Sequence, residues 1–242
     1  MQKLFSSLAL TALAFSAHAA AGLPVVQEAP LRAHLAFLSN DLLEGRGTGQ
    51  RGADLTVAYL ETQAQMAGLR PVRGNSYRQS VQIAGVKSLP AESSLQALAG
   101  GKAVPLAFGP DWVWATGDSV AAHTFDAPLV FVGYGITAPE EGWNDFKGAD
   151  VKNKIVVMMV NDPQPTALDP NRFAGKALTY YGRWTYKFEE AKRQGAAGVL
   201  LIHTKPSASY DWSVVQNSWS GSERFQLADR TAGTPLQGWI AE

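Results

Sequence analysis

The part of the sequence that most constrains the fold lies between Leu129 and His203. Short apolar runs alternate there with a glycine turn and with a stretch of helical spacing. Ile155 to Val160 is a run of β-branched residues and methionines, which is typical of a strand buried on both faces. The pattern predicts a mixed α/β fold with a helix packed on a sheet. We predict strands over Leu129–Val132, Ile155–Val160 and Val199–Ile202, and a helix over Thr179–Gln194.

The first residues predict export. Lys3 supplies a positive start, Leu4 to Phe15 form a short apolar run, and Ala17-His18-Ala19 offers a small-x-small cleavage pattern. The apolar run is too short to span a membrane. We expect a signal peptide over residues 1–19, a periplasmic or secreted location, and no membrane attachment after cleavage. The alternative is the amphipathic start of a cytoplasmic helix.

Composition narrows the functional classes. The chain has no cysteine, so an exported protein of this sequence folds without disulfides and has no lipid anchor on a cysteine. Its 21 basic residues balance its 21 acidic residues, so no broad field of one sign favours nucleic acid. We therefore expect no nucleic-acid partner.

The N-terminal part predicts two helices. Apolar residues recur at helical spacing over Pro30–Leu38 and again over Gly52–Ala67, and the glycine-rich stretch Ser39–Gly52 connects them. Gly68 stands where a left-handed cap belongs, and Pro71 prevents continuation of the second helix.

The remaining segments predict strands. Ser80–Ile83 and Ser94–Leu98 are short alternating runs separated by turn residues. Gly238 to Ile240 has the composition of the start of another element, so we expect the last domain to be incomplete at its C-terminus.

Gly47 to Gly52 matches the pattern G-x-G-x-x-G and precedes a helix. The dinucleotide motif requires a strand directly before the glycines, and an acidic residue about 20 positions later to hold a ribose. Neither is present. We predict a structural turn in which Arg46 and Arg51 contact neighbouring carbonyls or carboxylates.

No motif of hydrolytic or metal chemistry is present. The histidines have no ligand spacing, and the sequence contains no G-x-S-x-G. The pairs Glu140-Glu141 and Glu189-Glu190 are adjacent, so their side chains diverge; we expect them to be solvated rather than to form an acid/base couple. His203 is predicted to hydrogen-bond at a strand end. We name no catalytic residue and no metal ligand, the histidines considered being His34, His123 and His203.

Aromatic residues are concentrated before the last predicted strand. At helical spacing Tyr181, Trp184 and Phe188 share one face, and packing in the core is the first interpretation. The alternative is a wall over a binding cleft, with Arg183 or Tyr180 reaching a ligand. The candidate substrate-binding residues are Tyr180, Tyr181, Arg183 and Trp184.

An N-terminal block and several later blocks of this sequence resemble a known family. Leu38–Gly49, followed by Arg51-Gly52 and by Gly68–Pro71, resembles the opening of secreted co-catalytic zinc aminopeptidases. The later blocks resemble the protease-associated domain that bacterial members insert after their first catalytic-domain helices. Those blocks are Phe131–Ile136, Asp150–Val157, Tyr180–Lys187, Gly195–Gly198 and Trp212–Trp219.

The resemblance implies that the chain contains parts of two domains. Residues 20–76 would be the N-terminal helical segment of a peptidase domain, and residues 77–242 a β-rich protease-associated domain. The family removes N-terminal residues from peptides with two zinc ions, whose ligands begin with an H-x-D segment after the inserted domain. This sequence contains no such segment. The resemblance therefore implies peptide substrates and two zinc ions for the complete enzyme, and no cofactor bound by this chain.

A second hypothesis comes from another class of protein. A self-contained periplasmic module would bind a peptide or a glycan by stacking on the aromatic residues near Trp184 and Trp219, without metal. The oligomeric state stays open under both hypotheses.

Overall fold

The computed structural model describes residues 25–71, 74–118, 120, 122–221, 223–228 and 233–242. The predicted signal peptide, residues 1–19, lies outside the described residues. The chain divides into two compact units, Met1–Gln79 and Ser80–Glu242, and each is described by itself. No helix in these ranges is long and apolar enough to cross a membrane.

The first unit contains two helices, α1 (Glu28–Leu38) and α2 (Arg51–Met66). Both confirm the predictions from apolar spacing. Gly68 follows α2 at a φ of +71°, as predicted for a left-handed cap. The connection is more ordered than expected, because Asp41–Arg46 form a 3₁₀ helix whose first turn is capped by the Asn40 side chain.

The apolar side chains of the first unit are largely exposed. The two helices contact each other through the stacked rings of Phe37 and Tyr59, whose centroids lie 4.2 Å apart, and through His34 Nδ1, which is 2.5 Å from the Tyr59 hydroxyl. Within the described part of this unit only Leu43 and Gly52 are buried. The exposed apolar residues of the unit include Leu31, Leu35, Leu42, Leu55, Val57, Leu60, Met66 and Leu69.

The glycine-rich motif is a structural turn. A Cβ atom on Gly52 would lie 1.7 Å from the carbonyl oxygen of Leu43, so only glycine allows the start of α2 to approach the 3₁₀ helix. Arg51 Nη1 contacts Glu44 Oε1 at 3.1 Å, which confirms the predicted contact of Arg51 with a carboxylate. The motif thus sets the packing of the helix pair.

The described residues of the second unit form eleven strands and three α-helices. In chain order these are β1 (Ile83–Val86), β2 (Leu95–Ala99), β3 (Lys102–Leu106), β4 (Trp112–Ala115), β5 (Leu129–Phe131), β6 (Thr137–Ala138), β7 (Trp143–Asn144), β8 (Ile155–Met159), α3 (Trp184–Arg193), β9 (Gly198–His203), α4 (Lys205–Ala208), α5 (Trp212–Trp219), β10 (Arg224–Leu227) and β11 (Leu236–Ala241).

A five-stranded sheet of order β4-β11-β9-β8-β5 organises this unit. Strands β5, β8, β9 and β11 run parallel, and β4 pairs antiparallel with β11. Three small two-stranded sheets join β1 to β10, β2 to β3 and β6 to β7. The segment at Gly238 proves to be part of β11, an inner strand of the main sheet.

Both faces of the main sheet are covered, as the apolar run in β8 predicted. On one face Val156 and Leu201 pack with Phe188 of α3 and Trp219 of α5. On the other face Leu200 belongs to a second apolar cluster, which Leu95, Trp114 and Phe125 border. The mixed α/β class, with a helix packed on the sheet, is confirmed.

Two predicted elements begin in the wrong place. The first predicted strand, Ser80–Ile83, is wrong by three residues, because β1 takes its register from β10, with Ile83 opposite Leu227. Helix α3 begins at Trp184 and not at Thr179. Asp162 explains the delay: its carboxylate accepts hydrogen bonds from the backbone N–H of Thr179 at 2.7 Å and from its hydroxyl at 2.9 Å, which holds that residue in a turn.

The close approach at Gly52 predicts the effect of one substitution. Gly52→Ala should lower the thermal midpoint of the helix pair and reduce ellipticity at 222 nm, since the new methyl group would overlap the Leu43 carbonyl oxygen. We expect a loss of about 2 kcal/mol or more. In the control Gly47→Ala the methyl group would meet only the flexible Gln50 side chain, at 3.1 Å. Equal melting of the two variants would contradict this packing.

Candidate functional site

The structure does not bring the four candidate substrate-binding residues together. Tyr181 turns away from Trp184 because the chain bends at Gly182, before α3 begins. Its phenol donates a hydrogen bond to Glu140, and its ring meets Tyr186 edge-on at 4.9 Å. The hydrogen bond to Glu140 raises the pKa of Tyr181 to about 12. The prediction that Tyr181 shares a face with Trp184 and Phe188 is therefore wrong.

Tyr180 and Arg183 are both exposed. The Tyr180 hydroxyl donates to Glu189 Oε2 at 2.5 Å, and Arg183 is the residue that precedes the first turn of α3. A substrate-binding role for either side chain stays a prediction.

Trp184 occupies a different position from the two tyrosines. Its ring lies edge-on to Trp219 at 5.9 Å and to Phe188 at 6.1 Å, and 38% of its surface is exposed. One part of the Trp184 ring thus packs in the core, as the first interpretation predicted, and the exposed part lines the pocket described next.

A pocket of about 230 Å³ opens beside Trp184. Its lining comes from α3, from the end of β4, from the start of β11, and from β1 with β10. Its volume is below the range of roughly 300–1,000 Å³ that drug-sized ligands occupy, so it suits a small molecule or one residue of a larger ligand. The side chains that line it include Val86, Trp184, Phe188, Glu189, Arg224 and Phe225.

Arg224 is the notable charge of this pocket. Its guanidinium carbon lies 3.8 Å from the centroid of the Trp219 ring, a cation–π stack. Its Nη1 is buried without a hydrogen-bond partner. Burial lowers the pKa of Arg224, yet a guanidinium stays protonated in proteins. No carboxylate of the described residues lies within ion-pair distance of it.

Arg224 was not among the site residues predicted from the sequence. It is 40 positions from Trp184 along the chain, and only the pairing of β10 with β1, together with the stack on Trp219, places it in the pocket. Alternation of polar and apolar residues over Arg224–Leu227 was a usable signal for a strand, but nothing local indicates the pocket.

The adjacent glutamates differ from expectation. Glu190 is buried and accepts hydrogen bonds at 2.8 Å from both Arg193 and Gln194, so the prediction of a solvated pair is wrong for this residue. The cause is the packing of α3 on the sheet: Glu190 lies on the buried side of the helix, where Arg193 and Gln194 donate to its carboxylate.

The histidines have separate surroundings. His123 Nε2 lies 2.8 Å from Asp118, and His203 is buried against Trp212 at 5.6 Å. Burial lowers the pKa of His203 against an opposing hydrogen bond to the Tyr210 backbone, and its Nε2 has no partner. In the part of the chain that the structure describes, no three histidine, aspartate or glutamate side chains converge as metal ligands.

A buried lysine occupies the ends of two parallel strands. Lys187 Nζ donates to the carbonyl oxygens of Tyr134 at 2.6 Å and Asn161 at 3.1 Å, just beyond β5 and β8. Ligands of open α/β sheets commonly bind at the carboxyl ends of parallel strands. Here the lysine occupies that place, so the pocket beside Trp184 is the better candidate site.

Comparison with solved structures gives a distant structural similarity. Neither protein-family profiles nor curated protein sequences match this chain. A solved structure, an aminopeptidase from Aneurinibacillus sp. strain AM-1, aligns with 86% of this chain at 16% identity and a TM-score of 0.32. The chain spans 38% of the length of that aminopeptidase.

Lys187 should make stability depend on pH. Burial lowers its pKa from 10.5 to about 7, despite the opposing charges of Asp162 and Asp145. Between these values the unfolded chain binds more protons than the folded one, so the free energy of unfolding should rise with pH by up to about 1.4 kcal/mol per unit.

The measurement is urea unfolding by tryptophan fluorescence from pH 6 to pH 10. Lys187→Met should remove the rise in this window, whereas the control Lys192→Met, on an exposed position of α3, should keep it. Parallel pH profiles for the wild type and Lys187→Met would contradict the assignment.

Proposed function

We propose that this chain is the N-terminal portion of an exported zinc-dependent aminopeptidase. It would carry the first helices of the catalytic domain and a non-catalytic protease-associated domain that gates peptide substrates. The resemblance of the sequence blocks supports the proposal. Residues outside this sequence would supply the ligands of the two zinc ions and carry out the hydrolytic step.

The observation that carries the proposal is the exposed apolar side of the helix pair. Helix α1 has 11 residues and buries none of them, although Leu31 and Leu35 follow its apolar spacing. A helix this short is marginal in water without tertiary packing. Burying a leucine contributes about 1.5–3 kcal/mol, so a pair of helices with several exposed leucines calls for a further surface to pack on. The sheet of a catalytic domain would be that surface.

The described residues do not fit a pair of zinc ions. His123 and His203 belong to different side-chain groups, the first with Asp118 and the second among aromatic rings. An aromatic cage around His203 offers no carboxylate to complete a metal site. We therefore derive no hydrolytic step for these residues.

The pocket beside Trp184 favours a second candidate function. A stand-alone periplasmic module would use this pocket to bind a peptide or a glycan without metal. It would fold cooperatively as a soluble unit, whereas the helices of an incomplete peptidase domain would melt separately or promote aggregation through their apolar side.

Zinc binding and peptidase activity test the proposal directly. The purified chain should bind zinc only substoichiometrically and should not cleave an aminoacyl reporter substrate, because its residues supply none of the ligands. Mass spectrometry of metals and a chromogenic aminopeptidase assay measure both, with a complete zinc aminopeptidase as the positive control. Metal-dependent turnover by the purified chain would overturn this assignment.

The coding DNA beyond codon 242 separates the two candidates. The proposal predicts a continuation, in frame or frameshifted, that encodes H-x-D followed by further aspartate, glutamate and histidine. A downstream sequence without such a segment would contradict it and leave the binding module.

A further inference from the structure

We propose that the pocket between α3 and β10 binds the carboxylate of a small ligand whose adjoining side chain is apolar. Arg224 is the anion anchor and Trp184 the apolar wall. The chemistry is an α-carboxylate beside an apolar side chain, as in an apolar amino acid or the C-terminal residue of a peptide. This inference goes beyond the proposed peptidase function and does not depend on it.

The state of Arg224 gives the first argument. A half-buried cation is costly unless an anion or hydrogen-bond acceptors compensate it. The described residues supply no carboxylate within ion-pair distance, and Nη1 has no acceptor. Trp219 covers one face of the guanidinium, and Arg224 lines the pocket, so a carboxylate there would be bound by the guanidinium donors other than the buried Nη1. The edge of a guanidinium matches a carboxylate in a two-point hydrogen bond.

The balance of charge selects a carboxylate over a phosphate. Among the described residues that line the pocket, Arg224 is accompanied by one carboxylate, Glu189, which accepts a hydrogen bond from Tyr180. A doubly charged phosphate would meet one cation and one anion, whereas a carboxylate carries a single charge and needs a single guanidinium. The apolar side chains of Val86, Phe188 and Phe225 also offer no hydrogen-bond donors to the oxygens of a phosphate.

The size and lining of the pocket select the rest of the ligand. About 230 Å³ accommodates one side chain with its carboxylate and not an extended chain. An exposed part of Trp184 next to Phe188 offers an apolar contact for that side chain. A neutral glycan would stack on Trp184 but would leave the charge of Arg224 uncompensated. The observations therefore favour the carboxylate ligand over a sugar.

The test is isothermal titration of the full chain with N-acetyl-phenylalanine and with its amide, N-acetyl-phenylalaninamide. The two probes differ only in the carboxylate, so this comparison requires no variant. We expect the acid to bind and the amide to bind at least about tenfold more weakly. Equal binding of acid and amide, or no binding of the acid at millimolar concentration, would overturn the proposal.

Two variants locate the site. Arg224→Gln and Trp184→Ala should each weaken binding of N-acetyl-phenylalanine by about tenfold or more. Arg172→Gln is the matched control, because Arg172 also lies over a tryptophan, Trp143 at 5.4 Å, but is paired with Asp169 at 3.0 Å. It should leave the affinity unchanged. Near-UV circular dichroism verifies folding, and unchanged affinity in folded Arg224→Gln would contradict the proposal.

Further probes distinguish the two sources of the ligand. Free phenylalanine and the dipeptide Ala-Phe carry the same carboxylate and side chain. Tighter binding of phenylalanine identifies an amino-acid site, and tighter binding of Ala-Phe identifies a peptide C-terminus. Both results support the carboxylate chemistry, whereas binding of neither, with binding of a neutral sugar instead, would refute it.

Discussion

The contact of buried Lys187 with two backbone carbonyls joins helix α3 to the main sheet of the second unit. Its Nζ donates to the chain just beyond β5 and just beyond β8. The same helix presents Phe188 to the core and Trp184 to the pocket. A buried amine without a direct carboxylate partner is costly when charged. Its lowered pKa is the consequence, and the two carbonyl acceptors match the two N–H donors of the neutral amine.

The pocket follows from this placement together with the last strands of the chain. Trp219 packs beside Trp184 and Phe188 of α3, and Arg224 stacks on the Trp219 ring. The uncompensated charge and the apolar wall thus lie next to each other. Trp184 belongs to α3 and Arg224 to β10, so the two residues are distant in the sequence although they line the same pocket.

Local pattern was sufficient for some parts of this fold and insufficient for others. The apolar run of β8 and the helical spacing of α2 are properties of consecutive residues, and both were predicted. The start of α3 depends on Asp162, 17 residues before Thr179, and no periodicity reveals that hydrogen bond. Arg224 depends on still longer-range pairing, since β10 finds its partner in β1 at the other end of the unit. The site residues predicted from the aromatic segment therefore included Trp184 but not Arg224, which lies in the same pocket.

The two units differ in how completely they bury their apolar residues: α1 buries none, whereas β8 and β9 lie largely in the core. Residue-resolved hydrogen–deuterium exchange of the full chain tests this difference most directly, because exchange reports the local free energy of opening. We expect the amides of α1 and α2 to exchange faster than those of β8 and β9 by about two orders of magnitude or more. Protection of α1 and α2 equal to that of β8 and β9 would show that the helix pair is already fully packed, and would contradict the proposal that it requires a catalytic domain.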